Sequence, residues 1–220
     1  PTASNTPATS ATPSNTPSPS NTPTATNTAA PTNTPSASTS VVINEVDYDQ
    51  TGADSAEYIE LKNVSGGSIQ LDTYTVELVN GNTGGAAIYQ TITLPTYTLP
   101  AGDYYVICAN SANTPNCDLD VTPDTDLIQN GAPDAIGLRD SGNLVDAVSY
   151  EGNTGAPYTE GSGTGLMDDS ASTDKGISRC PDGTDTQSNN VDFLSDVPNT
   201  AGTANSCVAT PTPTSTSTRT

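Results

Sequence analysis

The sequence predicts an all-β fold, two sheets packed as a sandwich, with low-complexity segments on either side. Three observations point there. Apolar and polar residues alternate over short runs, and Gly, Asn, Asp and Pro punctuate them. No stretch sustains the 3.6-residue period of a helix. Four cysteines stand in a chain with one Met and no His or Trp, the usage of an oxidising compartment.

In order, Val41-Val42-Ile43-Asn44-Glu45-Val46 opens the strands. Tyr58 to Lys62 alternates with Ile59 and Leu61 on one face, and Thr73 to Leu78 sets Tyr74, Val76 and Leu78 against Thr75 and Glu77. Ile88 to Leu94 and Tyr104 to Cys108 follow. Asp134 to Arg139 and Leu144 to Tyr150 flank Asp140-Ser141-Gly142-Asn143, a four-residue hairpin signal. From Glu151 to Cys207 the pattern dissolves into Gly, Ser, Asp and Asn, with Leu166, Met167, Ile177, Val191, Phe193 and Leu194 as apolar anchors. This stretch is expected to wrap over the sandwich as a disulfide-tied extension rather than to form a second domain.

The flanks read differently. Residues 1–40 carry no charge and are half Thr or Ser, with Asn-Thr-Pro recurring at Asn5, Asn15, Asn21 and Asn33. Proline there favours extended polyproline-like chain, and there is too little apolar surface to fold. Thr and Ser beside Pro are the composition of O-glycosylated stalks, and Thr6, Thr16, Thr22, Thr34 and Thr212 are the candidate O-linked positions. Residues 208–220 repeat the pattern, which leaves residues 41–207 as the folded domain. A domain of that length buries roughly 70% of its unfolded surface.

All 25 acidic residues fall in that central segment, against Lys62, Arg139, Lys175 and Arg179, and the formal net charge of the chain is −20. Such a field opposes nucleic acid and anionic membranes and keeps the surface soluble. Cys108, Cys117, Cys180 and Cys207 allow three pairings. Cys108–Cys117 with Cys180–Cys207 is favoured because each pair brackets a turn-rich segment. On the chain-entropy model these bridges contribute about 2.7 and about 3.6 kcal/mol. Zinc is the weaker reading, with neither a CxxC spacing nor a His. Export follows from the cysteines and the flanks; neither a leader nor an apolar membrane span carries that inference.

Catalytic patterns are weak. Without His, a Ser-His-Asp triad is excluded, and Gly161-Ser162-Gly163-Thr164-Gly165 lacks the Lys of a phosphate loop. Carboxylates abound, but nothing singles out a glycosidase pair. Calcium is the best ligand candidate, since it takes six to eight hard oxygen donors. Its candidate ligands are Glu45, Asp47 and Asp49 with Asp182 and Asp185, and further acidic pairs stand at Asp118 and Asp120 and at Asp124 and Asp126. None has the EF-hand spacing, and solvated turn carboxylates are the plainer reading. Asn63-Val64-Ser65 is an N-glycosylation sequon, silent in a bacterial source. Lys62 reads as a surface lysine, with an isopeptide crosslink to Asn or Asp as the covalent alternative.

Several pieces in order resemble the lamin-tail domain in its bacterial secreted form. They begin with Ile43-Asn44-Glu45-Val46, Glu57 to Asn63 and Leu71-Asp72-Thr73-Tyr74. Next come Leu99 to Tyr104, then Leu138 to Gly142 with Val145 to Tyr150. Ile177 to Thr186, Asn190 to Phe193 and Pro198 to Asn205 close the series. The resemblance implies an immunoglobulin-like β-sandwich that serves as an accessory module without catalytic residues of its own. No attached enzyme is present in this chain. The expected function is therefore a non-enzymatic structural subunit of an extracellular, glycan-decorated filament or sheath that assembles with identical copies. The alternatives are an adhesive or carbohydrate- or calcium-binding module on a stalk, and a spacer in a larger secreted enzyme.

Overall fold

The computed structural model describes Thr2 and residues 40–81, 85–168, 171 and 174–207. The candidate O-linked Thr6, Thr16, Thr22, Thr34 and Thr212 lie outside these residues. Twelve strands and one short helix are found among the described residues. They are β1 (Val41–Asp47), β2 (Tyr58–Asn63), β3 (Ile69–Gln70), β4 (Tyr74–Asn80), β5 (Ala87–Thr93), β6 (Thr98–Leu99) and β7 (Tyr104–Cys108). There follow β8 (Leu119–Asp120), β9 (Asp134–Asp140), β10 (Asn143–Tyr150), β11 (Lys175–Arg179), α1 (Asn189–Asp192) and β12 (Phe193–Pro198).

The strands form a six-stranded sheet in the order β12-β11-β1-β2-β7-β8 and a four-stranded sheet in the order β10-β9-β4-β5. A two-stranded β3-β6 ribbon completes the set. Every pairing is antiparallel except β7 with β8. The two large sheets face each other across one core, as the alternation predicts. Ile43, Val46, Ile59, Leu61, Tyr105 and Ile107 of the larger sheet meet Val76, Leu78, Ile92, Ile136, Leu138 and Val148 of the smaller one.

The expected four-residue hairpin loop closes instead on two residues, because the strands pair as far as Asp140 and Asn143. Asn143 pairs with Asp140, and Ser141 and Gly142 both take positive φ, at 50° and 83°, the mirror-image turn that matches strand twist.

The expected wrap is only part of what residues 151–207 do. They also add β11 and β12 to the six-stranded sheet, so β1 becomes an inner strand. These strands escape a pattern reading because Lys175–Arg179 holds one apolar residue, Ile177, and Phe193–Pro198 is broken by Ser195, Asp196 and Pro198. Their pairing is interrupted by a register shift between Gly176 and Ser178. Beyond β12, residues 199–205 cross the outer face of β1 and β2 as a strap. That cover explains why every residue of β1 is buried, on both faces. Both expected disulfides are formed, Cys108–Cys117 and Cys180–Cys207.

Candidate functional site

The outer face of the six-stranded sheet carries a row of acids beneath the strap. Glu45 and Asp47 of β1 lie opposite Glu60 and Tyr58 of β2, and Glu45, Asp47 and Glu60 are fully buried. The strap supplies their hydrogen-bond donors. The Thr200 amide (3.1 Å) and hydroxyl (2.9 Å) both donate to Glu45 Oε2, and the Gly202 amide donates to Glu60 Oε2 at 2.7 Å. Asn199 Nδ2 donates to Asp47. Asn44 Nδ2 bridges Glu60 Oε1 and Asp182 Oδ1, at 2.8 and 2.9 Å.

Burial dominates the titration of this row. It raises Glu45 and pushes Glu60 up to about 8 despite the Asn44 and Gly202 donors. Asp47 is also raised, by burial and then by the neighbouring carboxylate of Asp168. Outside this row, just before β2, Glu57 is likewise pushed up to about 8 by burial, while it accepts the amides of Leu127 (2.7 Å) and Ile128 (2.9 Å).

One end of the strap is locked by Arg179, which is fully buried. Its Nη2 forms a fork with Asp146 at 2.8 and 3.0 Å. Nη1 reaches Asp192 at 3.2 Å and Asp185 at 3.5 Å, Nε donates to the Ile43 carbonyl at 2.9 Å, and the guanidinium lies 4.7 Å from the Phe193 ring centre. Because Asp146 belongs to β10 and Arg179 to β11, this ion pair joins the two sheets. Asn205 Nδ2 donates to the Asn44 carbonyl (3.0 Å) and the Arg179 carbonyl (2.9 Å), two residues before the Cys180–Cys207 bridge.

The candidate calcium ligands are not gathered into one cage. Glu45 and Asp47 hold the strap, and the Asp49 amide donates to Asp168 at 3.1 Å. Asp182 ion-pairs with Lys62 and accepts the Tyr104 hydroxyl at 2.8 Å. Asp185 lies at Arg179 and accepts the Gln187 amide at 3.0 Å. The three carboxylates that converge among the described residues are Asp146, Glu160 and Asp185. Arg179 already supplies the positive charge there.

Lys62, read as a surface lysine, is 13% exposed in its side chain and lies over the Tyr104 ring, 4.7 Å from its centre. Asn63 of the sequon is fully buried, its amide donating to the carbonyls of Gly67, Leu99 and Pro100. That leaves no amide for a glycan in the folded state.

The sequence reading missed Arg179, Asp146 and Glu160 as a group. The available signal was Arg179 itself, one of few cations in an acidic chain and adjacent to a cysteine. Beside the strap lies a cleft of about 550 Å³, lined by Asp47, Tyr58, Asn113, Asn116, Asp174 and Asn199 among others.

Two facing, mainly antiparallel sheets, a disulfide-tied C-terminal strap and a buried arginine seam define an immunoglobulin-like sandwich module. Residues 34–152 match the lamin tail domain family, more than half of the chain, and the chain belongs to that family. No curated protein matches it. The matched span ends before Ile177 to Asn205, so β11, β12 and the strap lie outside it.

Proposed function

We propose that this chain is a non-enzymatic structural subunit of an extracellular, glycan-decorated surface filament or sheath, its lamin-tail body displayed as a head. One observation carries the reading: the body joins its two low-complexity flanks at the same end of one sheet. β1 begins at Val41, and its register with β11 (Glu45 with Ser178, Val46 with Ile177) brings Arg179 beside the start of β1. Cys207 is bridged to Cys180, the next residue along. Tension applied through both flanks would peel β11 from β1 one rung at a time. An in-line spacer needs its ends on opposite sides, so the geometry favours a head over the spacer alternative.

The disulfides favour an oxidising compartment. No helix among the described residues is long and apolar enough to cross a membrane. Imaging of native surface material, with mass spectrometry of residues 1–40, tests the reading. Glycosylated flanks and globular heads on a common polymer are expected. Bare flanks on a protein that is monomeric in its native setting would overturn it.

The cleft favours adhesion as the second reading. Asn113 and Asn116 line it, and their side-chain amides, which have bonding capacity beyond their contacts to Ser55 and Ala201, are groups that hydrogen-bond sugar rings. A glycan array read with Asn116→Ala as the comparison separates the two: saturable binding lost in the variant favours adhesion.

A further inference from the structure

The two large sheets have four outer edges, and three of them are blunted. On β10 the side chain of Asn189 imitates a neighbouring strand. Its Oδ1 accepts the Ser149 amide at 3.0 Å and its Nδ2 donates to the Ala147 carbonyl at 2.8 Å. Glu160 accepts the Ala147 amide at 3.1 Å. The β12 edge carries Asp196 and ends at Pro198, and Ser195 on it binds Gly165 and Met167. β8 is two residues long. These are recognised ways of preventing edge-to-edge pairing.

β5 is different. Its seven residues, Ala-Ile-Tyr-Gln-Thr-Ile-Thr, contain no charge, Gly or Pro and are rich in β-branched and aromatic types. All but Gln90 and Ile92 are exposed, Ile88 at 46% and Tyr89 at 37%. The segment at residues 122–129 reaches β5 through the side chains of Tyr89 and Gln90. No backbone partner lies on the outer side of β5 among the described residues. The one protective feature is a bulge at Leu78/Val79, and the rungs from Thr75–Thr93 to Leu78–Gln90 remain regular.

We propose that β5 is a self-recognition edge, which pairs antiparallel with β5 of a second copy about a two-fold axis. Charge selects that occupant. Every copy carries a net charge of −20, yet no charged residue occurs from Leu78 to Gly102. Two copies that approach at β5 therefore bring no carboxylates face to face on the paired strands, whereas the charged remainder of the surface repels. A two-fold contact is self-complementary, so one neutral strand suffices for both sides, and strand addition takes its affinity from main-chain hydrogen bonds. This inference rests on the proposed surface assembly and names one of its contacts.

Analytical ultracentrifugation of the full chain over a concentration series tests it. Reversible dimerisation is expected, and it strengthens with salt as the Debye length falls from about 30 Å at 0.01 M to about 3 Å at 1 M. The double variant Ile88→Asp with Thr93→Asp sets like charges on both edges and is expected to weaken the dimer at least about tenfold. Val191→Asp, at an exposed apolar residue elsewhere (64% exposed), is expected to leave it unchanged. In the wild type, the amides of Ala87–Thr93 should exchange more slowly as concentration rises, a readout that does not depend on how the variants fold. Association that survives the β5 variant with unprotected β5 amides overturns the edge and leaves the assembly reading standing. A wild-type chain that stays monomeric at all salts overturns the edge too, and removes the self-association on which the assembly reading relies.

Discussion

Each sheet uses an arginine on its outer or connecting surface, and the two arginines live in different physics. Arg179, in the six-stranded sheet, is fully buried among Asp146, Asp185 and Asp192 and ties one sheet to the other. Arg139, in the four-stranded sheet, pairs with Glu77 at 2.7 Å, and its side chain is 24% exposed. The same contrast runs through the edges and faces. The six-stranded sheet hides its acids under a strap and a disulfide, while the four-stranded sheet leaves β5 bare. A polar or charged group taken out of water must be matched by partners that the fold holds in place, so the strap and the acids beneath it require each other. The Arg139–Glu77 pair, part of which still meets water, carries a weaker obligation.

The largest expected effect breaks that contrast directly. Arg179→Met strands buried carboxylates, and removal of one partner from a buried pair costs about 3–5 kcal/mol. Arg139→Met should cost less, because Arg139 keeps 24% of its side chain in water and Glu77 retains the Tyr158 hydroxyl as a donor. Urea denaturation of the two variants side by side measures both; equal losses would show that burial is not what separates them.

The bridges come next. Replacing Cys180 and Cys207 together by Ser should cost about 3.6 kcal/mol on the chain-entropy model, against about 2.7 kcal/mol for the Cys108–Cys117 pair. The first loss should also free the strap, seen as faster exchange of the Gly202 amide, while the second leaves that amide protected. If the strap stays protected without its bridge, its hydrogen bonds to Glu45, Asp47 and Glu60 and those from Asn205 hold it.

Asn189→Ala sharpens the comparison of edges. It leaves the Ser149 amide and the Ala147 carbonyl without their partner, a loss of about 1–3 kcal/mol. It also opens a second strand edge beside β5. Oligomers larger than the wild-type species are expected in sedimentation, and their absence would mean that Glu160 alone blunts β10.

Much of this contrast was legible in the sequence. Alternation placed seven strands because core-facing residues recur at every second position, and Asp140-Ser141-Gly142-Asn143 announced its turn, with Gly142 at positive φ. The disulfide pairing followed from the turn-rich segments each pair encloses. The strap and Arg179 were not legible. β11 and β12 hold too few apolar residues to show a period, and the partners of Arg179 at Asp146 and Asp192 come from separate segments that only the sheet order brings together. The acids of β1 looked like turn carboxylates because a strand covered on its outer face by later chain has no local signature. The neutrality of β5, by contrast, stands in the sequence, and its exposure depends on which strand ends the sheet.

A smaller, graded effect concerns pH. Burial holds Glu57 and Glu60 at about 8 in the folded state, against an ordinary value of 4.5. The folded chain then binds more protons than the unfolded chain between those limits, and stability falls as pH rises through them. The contribution is fully present below about pH 4.5 and lost above about pH 8. Melting temperature should decline across that window. A rise instead would mean that the strap and backbone donors outweigh burial and keep these carboxylates ionised.

The smallest shift expected is none at all. Calcium takes six to eight oxygen ligands, but the lone pairs of Glu45, Asp47 and Glu60 already receive strap or side-chain donors. Asp182 faces Lys62 and Asp185 faces Arg179. To bind there, the ion would have to displace the strap or a guanidinium. Melting with calcium and with a chelator should therefore give the same midpoint near neutral pH. A calcium-dependent rise that disappears in Asp47→Asn would show that the strap yields to an ion, and it would move the six-stranded sheet from a sealed structural face to a ligand-binding one.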